Sequence, residues 1–148
     1  MTRRRNRVTT TAVLAACLLA VVLTACGGGG GGDARHAAMT APTGRWVLDL
    51  GASESPDFGF PVTVDATFAD GRVSGIGGCN RYNADVTTTA GGGLTVGEIA
   101  TTKMMCTPEN QGVESDYLRR LAAAESFSVD AGTLTITNTE GADLVLRR

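Results

Sequence analysis

The sequence predicts an α+β domain that is mostly β: an antiparallel meander curled into a partly open barrel, with one amphipathic helix packed on it. Three observations predict it. Apolar and polar residues alternate with a period of two in several short segments. Turn signals containing glycine fall between those segments. One stretch breaks the alternation and carries helix-start chemistry instead.

The strands come first. In RWVLDL, Trp46, Leu48 and Leu50 fall on one face, with Arg45 and Asp49 on the other. In PVTVDATF, Val62, Val64, Ala66 and Phe68 point one way, while Thr63, Asp65 and Thr67 point the other. In TLTITNT, Leu134 and Ile136 alternate with Thr133, Thr135 and Thr137. Each pattern is that of a strand with one face on a core and one in water. Asp70-Gly71, Gly91 to Gly93, Ala131-Gly132 and Glu140-Gly141 supply the turns. Gly75, Gly77 and Gly78 are expected to let a strand bend or bulge and to admit a neighbouring backbone.

The helix is expected after Cys106, in TPENQGVESDYLRRLAAAES. Thr107 suits the N-cap and Pro108 the first helical position, where its missing N–H costs nothing. Acidic residues early and Arg119 and Arg120 late complement the helix dipole. Val113, Tyr117 and Leu121 share a face that Leu118 and Ala122 widen, and this stripe is read as core. Gly112 places the expected start of regular helix near Val113.

The amino-terminal segment reads as an address. MTRRRNR is followed by a fourteen-residue apolar run, Ala12 to Ala25. About 20 residues are needed to span a bilayer, so the layout is that of a signal peptide over residues 1–25. Leu23-Thr24-Ala25-Cys26 resembles the bacterial lipobox, which makes Cys26 the expected lipidation site, carrying diacylglyceryl and palmitate-type chains. Six glycines, Gly27 to Gly32, and the chain to Pro42 form a flexible tether over residues 26–42, with His36 as spacer. The glycines have no strand before them and no helix after them, unlike a phosphate-cradling loop.

Charge narrows the partners. Of 13 Lys and Arg, four fall in residues 1–25, where there is no acid; nine then face 15 Asp and Glu, about −6 net. That sign argues against nucleic acid and against electrostatic adsorption to anionic lipid. Membrane contact is expected through the acyl chains. The remaining 43–148 suffices for one domain.

W-x-L near the start, FADGRVSGIGGCNRYNAD, TTKMMC and then Glu114, Tyr117, Leu118 and Leu121 resemble the META domain, also called the HslJ-like or DUF306 family. The resemblance spans nearly all of 43–148. It implies a cracked antiparallel barrel with one helix. Bacterial members are often envelope lipoproteins, some linked to heat shock, and the family brings no catalytic residues and no cofactor. Ala84 stands where members often carry glycine, which predicts a different local turn.

Cys17 leaves with the signal and Cys26 takes lipid, so Cys79 and Cys106 remain. Outside the cytoplasmic membrane two thiols tend to oxidise, and a disulfide between them is expected; two reduced, buried cysteines are the alternative. Asn80, Arg81 and Tyr82 read as an anchored polar corner with Glu114 as the partner of Arg81. Zinc lacks ligands, a nucleophilic cysteine lacks a base, and Cu(I) on Met104, Met105 and Cys106 is opposed by strand alternation.

The expected function is therefore a membrane-anchored, monomeric, non-enzymatic envelope module for binding or stress tolerance, with no cofactor. Its partner would be an envelope protein or, as an alternative, a small apolar ligand or lipid carried in the barrel. An enzyme would have to draw on Asp65, Asp70, Asp85 or Glu98, each placed where solvated residues are expected.

Overall fold

Nine strands and one helix succeed one another in the computed structural model, which describes residues 41–55 and 61–148. The predicted signal segment, Cys26 and the tether with His36 lie outside the described residues. The strands are β1 (Gly44–Leu48), β2 (Asp65–Ala69), β3 (Arg72–Ile76), β4 (Arg81–Thr88), β5 (Leu94–Val96) and β6 (Ala100–Thr101). Then come α1 (Pro108–Ala122), β7 (Ala124–Asp130), β8 (Thr133–Asn138) and β9 (Leu144–Arg147).

Every strand pairing is antiparallel, in the order β5-β4-β3-β2-β1-β9-β8-β7, with β6 also paired to β4. The sheet curls until its ends face each other, giving a nearly closed eight-strand barrel with one unsealed seam. At that seam Gly93, just before β5, makes an isolated bridge to Ser126 of β7, and the Phe127 N–H donates to the Gly92 carbonyl at 2.8 Å. The meander is expressed in tight turns. Asp70 and Gly71 both take positive φ (51° and 71°), as do Ala131 and Gly132 (44° and 82°), the twist that two-residue hairpins favour.

Alternation carries the core. Trp46 and Leu48, then Val64, Ala66 and Phe68, then Leu134 and Ile136 are all buried, as their period predicts. Leu50 and Val62, just outside their strands, are only half-buried against the cluster. Asp65 departs from the pattern and is buried. Its Oδ2 accepts from Arg45 Nη2 at 2.6 Å and its Oδ1 from the Ile76 N–H at 2.9 Å, which replaces the water that a carboxylate requires.

The helix begins at Pro108, not at Val113, and Gly112 lies inside it. Thr107 is the N-cap, its side chain accepting from the Asn110 N–H at 3.3 Å. Val113, Tyr117 and Leu121 are buried, but the face widens through Arg120 and not through exposed Ala122. The guanidinium reaches over the helix end: Nη1 donates to the carbonyls of Ser53 (2.7 Å) and Ala142 (2.9 Å), and Nη2 to Ser55 and Asp116. The predicted bulge at Gly75 to Gly78 is instead the end of β3 and a tight connection to β4, closed by Gly77 N–H to Asn80 O at 2.9 Å. Ala84 makes no turn; it is a buried residue in the middle of β4, paired with Val73.

Candidate functional site

The β3–β4 connection meets the helix at a polar corner. A Cβ on Gly77 would lie 3.0 Å from the Glu114 side chain, and one on Gly78 3.1 Å from the Asn110 carbonyl, so glycine sets how closely the helix approaches. Into that space Glu114 sends its carboxylate. Oε2 accepts from the Cys79 N–H (3.2 Å) and the Asn80 N–H (2.5 Å), and Oε1 from Asn80 Nδ2 at 2.8 Å. Asn80 Oδ1 accepts in turn from Thr102 Oγ1 (3.1 Å) and the Met104 N–H (2.7 Å). One buried asparagine thus joins sheet, helix and the β6–α1 segment.

Cys79 and Cys106 flank this corner with their sulfurs brought together and their Cα atoms 6.2 Å apart, within the 4.4–6.8 Å that disulfides span. Arg81 is not where expected. Strand alternation turns it to the outer face, exposed, while Glu114 is occupied by Asn80 and two backbone N–H groups. The backbone N–H of Arg81 donates to Thr102 Oγ1 at 3.1 Å. The argument against Cu(I) also changes, because residues 102–107 form no strand. Met105 is fully exposed and Met104 borders a groove beside the helix with Asn80, Glu114 and Leu118. Among the described residues no three of His, Cys, Asp and Glu gather as a metal set.

Tyr82 points inward from the same block. Its hydroxyl donates to the Asp65 carbonyl at 2.9 Å and stands 2.7 Å from the Tyr117 hydroxyl. To reach from β4 to β2 the side chain must cross β3, and it crosses at its register partner, Gly75. A Cβ there would lie 2.0 Å from the Asp65 oxygen, so only glycine leaves the passage open. Burial pushes the Tyr82 phenol far above its ordinary value of 10.0, and Tyr117 beside it adds to the effect. Burial likewise raises Tyr117, partly offset by its hydrogen bond to Tyr82. Both rings pack edge to face with centroids 5.6 Å apart.

The outer face over Gly75 forms a second feature, a groove of about 420 Å³ lined by Thr67, Ser74, Ile76, Arg81 and Asn83, with Asp65 on its wall. Sequence reasoning missed it, because only the pairings Thr67 to Ser74 and Ser74 to Asn83 align these residues across three strands. Of the carboxylates weighed for catalysis, Asp65 pairs with Arg45 and Asp85 with Arg72, Asp70 sits in a turn, and Glu98 is exposed between β5 and β6. The interior between sheet and helix is occupied by Trp46, Tyr82, Tyr117, Leu94 and Leu121, which speaks against the apolar-carrier alternative.

A nearly closed antiparallel barrel, with the one helix among the described residues fastened through an asparagine–glutamate corner, defines a small, mostly β domain. Residues 38–148 match the META domain, and the chain belongs to that family. Two solved structures, both determined by NMR, resemble it. One aligns with a TM-score of 0.56 at 23% identity, covering 70% of this chain and 87% of its own. The other, from Burkholderia xenovorans, aligns with a TM-score of 0.56 at 24% identity, covering 71% of this chain and 81% of its own. At such identities the likeness concerns the fold alone. No curated protein matches the chain.

Proposed function

We propose that the chain is a bacterial envelope lipoprotein, anchored through Cys26 to the outer face of a membrane, whose META domain is a non-enzymatic binding or stress-tolerance module. The observation that carries this reading is the commitment of Asn80, Tyr82 and Glu114 to architecture. Asn80 and Glu114 direct their hydrogen bonds to each other and to neighbouring backbone, and Tyr82 to Tyr117 and a carbonyl. Polar groups so engaged hold a scaffold rigid and leave no base poised for proton transfer. The order of arginines, apolar run, Leu23 to Cys26 and glycines supports the anchor. In that oxidising location Cys79 and Cys106 form a disulfide, and the domain works as a monomer.

Labelling cells with a palmitate analogue tests the anchor: the wild type takes label and sediments with membranes, and Cys26→Ala does neither. Label retained in that variant overturns it. Crosslinking in intact cells, with the tether present, tests the binding role; recovery of no partner beyond that of a lipidated control protein removes it.

A further inference from the structure

We propose that the groove over Gly75, on the outer face of β2, β3 and β4, is a binding site for a sugar carrying an oxyanion, either a carboxylate or a phosphate. The inference deepens the binding reading above and is independent of the membrane anchor.

The site has a floor because Asp65 interrupts the ladder. The β2–β3 pairing runs through Thr67 to Ser74, and then the Asp65 carboxylate takes the Ile76 N–H. The regular ladder ends there with the backbones of Gly75 and Asp65 in close approach, and the concavity lies on the face where alternation has placed polar side chains. Thr67, Ser74 and Asn83 are consecutive partners across three strands, so they stand in a row at the inter-strand spacing of about 4.8 Å. Ile76 and Arg81, paired one step further along, form the next row.

The chemistry of these groups is that of donors. Asn83 Oδ1 accepts from Arg72 Nη2 at 2.7 Å, which leaves its amide N–H groups to face a ligand. Ser74 and Thr67 offer hydroxyls. Arg72 is held by Asp85 at 2.7 Å and Arg45 by Asp65 at 2.6 Å. Arg81, in contrast, has no carboxylate partner among the described residues. In an acidic domain, a guanidinium left without a carboxylate among the described residues, at the edge of a donor-lined groove, presents its planar fork to a bidentate oxyanion. The row of hydroxyl and amide groups matches sugar hydroxyls, and Ile76 offers an apolar patch to a ring face. A volume of about 420 Å³ falls within the roughly 300–1,000 Å³ of small-molecule sites.

The test uses the full chain, acylated or not, in detergent micelles, ¹⁵N-labelled and titrated with glucuronic acid, glucose 6-phosphate, glucose and inorganic phosphate. Amide shifts confined to Ser74, Gly75, Ile76, Arg81 and Asn83, with at least one acidic sugar bound tenfold or more tightly than glucose, support the assignment. Whichever of the two acidic sugars binds more tightly names the oxyanion. Arg81→Gln is expected to lower that affinity at least tenfold while the remaining spectrum stays native, and Ser74→Ala to lower it less. Glucose binding equal to the acidic sugars, inorganic phosphate binding equal to glucose 6-phosphate, or an unaltered affinity in Arg81→Gln each overturns it. Absence of any acidic-sugar binding also overturns it, while a crosslinked protein partner recovered at another face would leave the broader binding role intact.

Discussion

The hydroxyls of Tyr82 and Tyr117 meet at 2.7 Å in the core, and Tyr82 passes the chain on to the Asp65 carbonyl at 2.9 Å. With one proton each, Tyr82 donates to the carbonyl and Tyr117 donates to Tyr82. The two positions are therefore unequal. Tyr117→Phe removes one buried hydrogen bond, worth about 0.5–1.5 kcal/mol. Tyr82→Phe also strands the Tyr117 hydroxyl, and its expected cost is larger, about 1–3 kcal/mol. Urea unfolding of both variants checks the order; equal costs would contradict this donor assignment.

The same pair predicts alkaline sensitivity. Both phenols are raised above 10.0 in the folded chain, so above that pH the unfolded state loses protons that the folded state keeps. Their contribution to stability is full below about pH 10 and declines as pH rises beyond it. Unfolding followed from pH 8 to 11.5 should show this decline, reduced in a Tyr82→Phe, Tyr117→Phe double variant. Asp49 acts with the opposite sign. The Ala52 N–H and then Arg147 hold its carboxyl below the usual value, so its contribution disappears as pH falls through the acidic range.

Glu114 and Arg81 separate structure from surface. Glu114→Ala leaves Asn80 and two backbone N–H groups without their acceptor, with an expected loss of about 2–4 kcal/mol. Arg81→Ala is expected within about 0.5 kcal/mol of wild type. Thermal melts of the two variants side by side make the comparison, and a large Arg81 effect would restore that residue to the corner.

Much of this was legible in the sequence. The buried alternation of Trp46 and Leu48, the Asp70-Gly71 hairpin and the Thr107-Pro108 helix start are local signals, and each appears where its chemistry predicts. Proximity of Cys79 to Cys106 followed from elimination among four cysteines. What was not legible depends on register and on distant partners. Arg120 looks like a dipole counter-charge until Ser53 and Ala142 are known to approach it. Asp65 has the pattern of a solvated residue, and only Arg45 and Ile76 make its burial tolerable. Arg81 reads as a member of the polar corner with Glu114, yet one step along the strand from buried Tyr82 reverses the face.

Cys79→Ala with Cys106→Ala is expected to cost about 3–4 kcal/mol, the chain-entropy value for a separation of 27 residues. Adding reductant should lower the melting temperature of the wild type towards that of the double variant and leave the variant unmoved. Insensitivity of the wild type would show that its thiols were already free.

Arg120→Met keeps much of the volume but removes four hydrogen bonds from a side chain that is 2% exposed. Breaking a buried charge pair costs about 3–5 kcal/mol. Asp116 is partly exposed and can regain water, which places the expectation near 3 kcal/mol by chemical denaturation.

The position of β1 between β2 and β9 has a kinetic consequence. A ribosome releases the chain from its amino end, so the first strand must wait, one edge unpaired, until residues almost a hundred positions later have emerged. Barrels assembled from such distant segments collapse slowly compared with helical domains. The nascent chain accordingly remains threadable through most of its synthesis and acquires its final shape only once β9 has been delivered.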